Sequence, residues 1–142
     1  MSVKGFLKQV QYMDYTLKNY EERLQNLKRD IVRLKAPTMG MNVQNNRVPE
    51  LADIIQLIED VEEQTNRKYM ETMRIKSRAE ELINHEKDYL KYNILYARYI
   101  NGKSWDKIAE ETNFSKASVW RTHGEALQDL ENILLSKKLD SF

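Results

Sequence analysis

The sequence predicts an all-α protein in which a long N-terminal helical hairpin or coiled coil precedes a C-terminal domain of short, capped helices. Three observations carry that expectation. Charged residues make up 32% of the 142-residue chain, above the roughly 25% of ordinary globular proteins, and there are only four Gly and two Pro. The apolar residues of the N-terminal quarter recur in steps of three and four. Near the C-terminus, Gly and Asn fall where helices stop and Ser where they start.

The first helix is the most regular. Val3, Phe6, Val10, Met13, Leu17, Tyr20, Leu24, Leu27, Ile31 and Leu34 alternate as the a and d positions of a heptad. At a rise of about 1.5 Å per residue the stripe runs about 48 Å. It is narrow and flanked by charge, so it needs a partner helix to bury it. Val10, Met13, Leu17, Tyr20, Leu24, Leu27, Ile31 and Leu34 therefore form a candidate oligomerisation seam. Two partners fit: the next helix of the same chain, or a second copy in a homodimer. Residues 1–35 carry eight Lys/Arg against four Asp/Glu, and residues 50–85 carry five against nine. Opposite charge on successive helices suits either contact.

Residues 36–49 hold Pro37, Gly40, three Asn and Pro49, with Arg47 the only charge, and read as a loop. Pro49 suits the first turn of a second helix, and Glu50 and Asp53 suit its positive end. That helix carries Leu51, Ile54, Ile55, Ile58, Val61, Thr65, Tyr69, Met73, Ala79, Leu82 and Ile83. Its seam drifts near Thr65–Met73, which argues against a strict coiled coil there. The acidic run Glu59, Asp60, Glu62 and Glu63 reads as a solvated face. Asn84 suits a cap, so the expected division lies between a region 1–85 and a domain 86–142.

Composition excludes several classes. There is no Cys, hence no disulfide and no thiolate metal site. The N-terminus lacks the apolar core of a signal peptide, and no apolar run approaches the roughly 18 residues of a membrane span. A soluble protein of the bacterial cytoplasm is expected, with no membrane contact. His85 and His123, the only histidines, lie far apart in sequence, and no metal cluster or cofactor is expected. Ser104-Trp105-Asp106-Lys107 formally matches the Ser-x-x-Lys of acyl-transfer enzymes, but an N-cap accounts for Ser104 and no other part of that signature is present. Without a nucleophile–base pair or a phosphate-binding Gly loop, the chain does not read as an enzyme.

The C-terminal domain is the most informative. Glu86–Asn101 reads as a helix with Leu90, Ile94, Leu95 and Tyr99 on one face. Gly102 ends it, Ser104 caps a short helix Trp105–Thr112, and Asn113 tolerates the turn's positive φ. Ser115 caps a last helix from Lys116 to about Leu134, with Val119, Ala126, Leu127 and Leu130 inward. Trp105, Ile108 and Ala109 face the core, and Ala109 is small enough to let the next helix cross closely. This order of support helix, short helix, tight turn and capped longer helix is a helix-turn-helix. It leaves Lys116, Ala117, Ser118, Trp120, Arg121 and Thr122 exposed for the major groove of double-stranded DNA. Arg121 and Glu125, at i,i+4 spacing, also suit a surface ion pair.

The run Arg98-Tyr99-Ile100-Asn101-Gly102-Lys103-Ser104-Trp105, followed by Lys107-Ile108-Ala109-Glu110-Glu111 and then Ser115, Val119, His123 and Ala126-Leu127, resembles a family of Gram-positive phage and prophage proteins. Their C-terminal domain is similar to region four of primary sigma factors, and they are grouped with late-gene transcription regulators such as ArpU and RinA. The similarity covers roughly residues 90–130. It implies that Lys116, Ala117 and Arg121 face bases, with Ser118 and Trp120 nearer phosphates. Arg121 is then the candidate for bidentate pairing with guanine, and Lys103, Ser104 and Lys107 position the backbone. The sequence departs from a strongly basic binder. Residues 86–127 hold seven Lys/Arg against six Asp/Glu, and net charge is only +1. A dimer or an RNA polymerase partner would compensate. Two other functions use the same parts: a small-terminase-like packaging adaptor, and a polymerase-binding factor without DNA readout.

Overall fold

The computed structural model describes residues 2–35 and 44–137, and all of its regular elements are helical. They are α1 (Val3–Lys35), α2 (Gln44–Ile83), α3 (Tyr89–Leu95), α4 (Trp105–Thr112) and α5 (Lys116–Lys137), with a π-helical segment, Tyr96–Ile100, continuing α3. No helix among the described residues is long and apolar enough to cross a membrane. The chain divides into two compact units, Tyr15–Glu71 and Met1–Asp14 with Thr72–Phe142. The units thus part within the two long helices rather than at residue 85.

In the first unit the later turns of α1 meet the earlier turns of α2. Leu27, Ile58 and Val61 are buried together, with Leu24, Ile31 and Ile54 packed on them. The helices run antiparallel: Lys28 Nζ lies 3.6 Å from Glu62, while Arg33 and Leu34 share a groove with Glu50 and Ile54. This part of the α1 seam is therefore covered by α2 of the same chain, one of the two partners the sequence allows. The reason is geometric: α2 offers a matching stripe at close range, without the entropy loss of bringing two molecules together.

The α2 seam also differs from expectation. Ile55 and Tyr69 are exposed (42% and 50%), whereas Thr72 is buried alongside the expected Thr65. Ile58, Val61, Thr65, Lys68, Thr72, Ile75, Ala79 and Leu82 are all buried or half-buried and keep the three-and-four spacing. The seam does not drift; it passes through polar residues. Thr65 tolerates burial because its hydroxyl donates to the Val61 carbonyl at 2.7 Å.

In the second unit the first turns of α1 and the last of α2 share one core with the C-terminal helices. Val3, Phe6, Leu7 and Val10 pack with Ala79, Leu82 and Ile83, and with Leu95, Tyr99, Ile100, Ala126, Leu127 and Leu130. Three short helices expose too much apolar surface to stand alone, and the long helices cover it. The N-terminus of α1 is tied in twice. Ser2 Oγ accepts from the Gly5 amide at 3.0 Å, and the Glu131 carboxylate of α5 accepts from the Val3 amide. Lys76 and Asp14, mostly buried, pair at 3.0 Å.

Three boundaries depart from the sequence pattern. α2 starts at Gln44, so residues 44–49 of the expected loop are helical and Pro49 lies in the second turn. One proline there removes a single i→i−4 bond, and the preceding residues contain no breaker. Residues 36–43 of that loop lie outside the described residues. α3 starts at Tyr89, not Glu86, and its cap is Asp88, whose carboxylate accepts from the Lys91 amide at 3.0 Å, rather than Asn84. The helix also widens after Leu95: the Asn101 amide reaches back five residues to the Tyr96 carbonyl at 3.1 Å.

Glu86, displaced from the helix, is 8% exposed, and its Oε2 is buried without a hydrogen-bond partner. Burial raises its pKa, and the neighbouring Asp129 carboxylate adds to the rise. Asp129 is itself lowered by its hydrogen bond from Lys91, 3.0 Å away. Glu86→Gln supplies a neutral group that can donate to Asp129. It is expected to stabilise the fold at pH 7 by about 0.5–1.5 kcal/mol, read by chemical denaturation. The gain shrinks as pH falls and Glu86 takes up its own proton. Destabilisation at pH 7 would show that Glu86 works as a charge.

Candidate nucleic-acid interface

The interface is built on a small second core. Ile94 of α3, Ile108 of α4 and Val119 of α5 are each 1% exposed and meet one another, with Leu90, Ala97, Trp105 and Ala109 packed around them. Val119 does pack with Ile108, and Ala109 lies within the contact, as the spacing predicts. Local chemistry sets the two turns. Gly102 (φ 68°) ends the π segment, and Ser104 Oγ caps α4 by accepting from the Lys107 amide at 3.1 Å. Asn113 (φ 60°) takes the left-handed turn, and Ser115 Oγ caps α5 by accepting from the Ser118 amide at 3.1 Å. Both caps and both positive-φ residues stand where the sequence places them.

An aromatic cluster behind the α5 face was not legible. His123 is 3% exposed, and its Nε2 lies 2.6 Å from the Tyr99 hydroxyl. Burial pushes His123 down to about 4, aided by the Arg98 and Lys4 charges, and burial pushes Tyr99 up to about 12. The tyrosine thus keeps its proton and donates it to a neutral imidazole. Trp105 meets His123 edge-on at 4.7 Å and Trp120 edge-on at 5.1 Å between ring centres. Arg98 stacks on Trp105 at 4.4 Å, and its guanidinium donates to the Lys103 carbonyl at 3.0 Å. Arg98 Nε is buried without a hydrogen-bond partner, a cost that the ring contact offsets. These contacts join residues 5 to 24 positions apart, which no single periodicity reveals.

The expected DNA-facing residues fall into two groups. Ala117, Trp120 and Arg121 lie exposed on the first turns of α5, and Lys107 is exposed on α4. Trp120 is 56% exposed, so it both packs on Trp105 and offers an edge to solvent. No ion pair joins Arg121 to Glu125 among the described residues. The other basic residues are engaged. Lys116 pairs with Asp106 at 2.8 Å, and half-buried Lys103 pairs with Glu111 at 2.9 Å. Ser104 and half-buried Ser118 lie at the two capped helix starts, where Ser118 also hydrogen-bonds Ser115 hydroxyl to hydroxyl at 2.9 Å. Sequence reasoning missed Asp106 and Glu111 as partners because both pairs cross a helix break, outside the i,i+4 rule. Among the described residues, no group of three or more His, Cys, Asp or Glu is placed to hold a metal.

Compared with known proteins, the chain matches no family model, no curated protein and no solved structure.

Proposed function

We propose that the protein is a sequence-specific double-stranded DNA-binding transcription regulator of phage type, acting in late-gene control in the host bacterial cytoplasm. The observation that carries the reading is the exposed α5 start. A doubly capped helix-turn-helix presents Ala117, Trp120 and Arg121 outward, all three exposed among the described residues. In such a motif that face enters the major groove. Arg121, without an ion-pair partner among the described residues, is the base reader; Lys107 contacts phosphates, and so does Lys116, which the resemblance places towards bases, because its charged end is drawn aside to Asp106 of α4.

The test is selection from fragmented source DNA at about 150 mM salt, where screening weakens non-specific attraction. One short enriched motif near a promoter supports the reading, and no enrichment counts against it. On the enriched site, Arg121→Ala is expected to cost about 1–3 kcal/mol and to relax preference at one base pair. Equal loss on every sequence would make Arg121 a phosphate contact instead. A second reading, an RNA polymerase-binding factor without DNA readout, is favoured by the two lysines already paired to acids. It predicts polymerase capture that survives Arg121→Ala.

A further inference from the structure

Lys116 is the first residue of the recognition helix, and Asp106 sits in the first turn of α4. Their charged ends lie 2.8 Å apart although the side chains are 64% and 79% exposed. Nothing buries this pair. Asp106 therefore engages the Lys116 ammonium as a phosphate oxygen would, in reach of solvent. Glu111 does the same for Lys103, at 2.9 Å.

We infer that Asp106 is a specificity-determining residue of this interface, a built-in competitor that holds Lys116 away from phosphates until a matched site engages the rest of the face. The inference rests on the DNA-binding reading. Its physical basis is the sequence-independent nature of phosphate attraction. A free lysine strengthens binding to every duplex alike, whereas a lysine that must exchange a carboxylate for a phosphate adds little unless other contacts hold the duplex in place. The carboxylate also repels nearby phosphates, and that effect is not repaid on non-cognate DNA. A chain whose 23 Lys/Arg are nearly balanced by 22 Asp/Glu thereby gains discrimination by restraining cations at this face rather than adding more.

The experiment compares wild type, Asp106→Asn, Lys116→Gln and the double variant on a random-sequence duplex and on the enriched site, from about 50 to 200 mM salt. Asp106 is exposed and contributes no buried surface, so the variant is expected to fold, checked by thermal unfolding. Asp106→Asn is expected to bind random duplex about 3–10-fold more tightly at low salt, with a smaller gain on the enriched site and a steeper salt dependence. The gain should vanish in the Lys116→Gln background. Unchanged random-duplex affinity in Asp106→Asn, where wild type binds and Arg121→Ala weakens binding, overturns the competitor while leaving DNA binding intact. A gain that persists in full without Lys116 also overturns it, because Asp106 would then act as plain repulsion. If no variant binds any duplex, DNA binding fails and the competitor fails with it.

Discussion

Ile108→Ala is expected to lower the unfolding free energy by about 2–5 kcal/mol and to abolish DNA retention without touching a residue of the exposed face. Ile108 is 1% exposed and is the α4 side chain that meets both Ile94 and Val119. Shortening it leaves a cavity at the point where three helices cross, and the short α4 has no other fully buried residue to hold its angle. Arg121→Ala makes the contrast. It should leave the melting temperature nearly unchanged, as exposed substitutions usually do, and weaken binding to the enriched site by about 1–3 kcal/mol. Thermal or denaturant unfolding of both variants checks the pair. If Ile108→Ala melts like wild type, the small core does not hold the motif together.

Acidification from pH 6.5 towards 4 is expected to remove up to about 3 kcal/mol of stability through His123 alone. Its pKa falls from 6.5 to about 4 on folding, chiefly by burial. Above pH 6.5 the imidazole is neutral in both states and its contacts contribute fully. Between the two values the unfolded chain holds the proton and the folded chain does not, so stability declines as pH drops through that window. Protonation also removes the acceptor that receives the Tyr99 hydroxyl, so that hydroxyl must turn its proton away and accept instead. Tyr99, pushed up to about 12, does not titrate in this range. His123→Gln lacks the titrating group, so its stability–pH curve should be flatter between pH 6.5 and 4. Parallel curves for the two proteins would show that His123 is not the source. The ordinary carboxylates titrate in both proteins, and the comparison cancels them.

The heptad stripe of α1 needs only periodicity to be recognised, because a 3.5-residue repeat maps one helix face directly onto the sequence. The helix-turn-helix was readable for a similar reason. Ser104, Asn113 and Ser115 act on backbone within three residues of themselves, and Gly102 acts on its own φ, so local chemistry identifies each. The α2 seam was harder, since after Thr65 it runs through Lys68 and Thr72, and hydropathy does not mark either as a seam position. Glu86 likewise looked like a helical residue because nothing local announces that Asp88 caps α3 instead.

What the sequence by itself determined is the all-helical class, the long apolar stripe, the two capped turns and the identity of the outward residues Ala117, Trp120 and Arg121. Those properties are set by interactions along one segment. Only the tertiary structure decided that α2 of the same chain covers the later turns of that stripe, that Tyr99, Trp105 and His123 gather behind α5, and that Asp106 and Glu111 engage Lys116 and Lys103. Each of those contacts joins residues on different elements, and their energies depend on burial and distance. Neither quantity exists until the chain has folded.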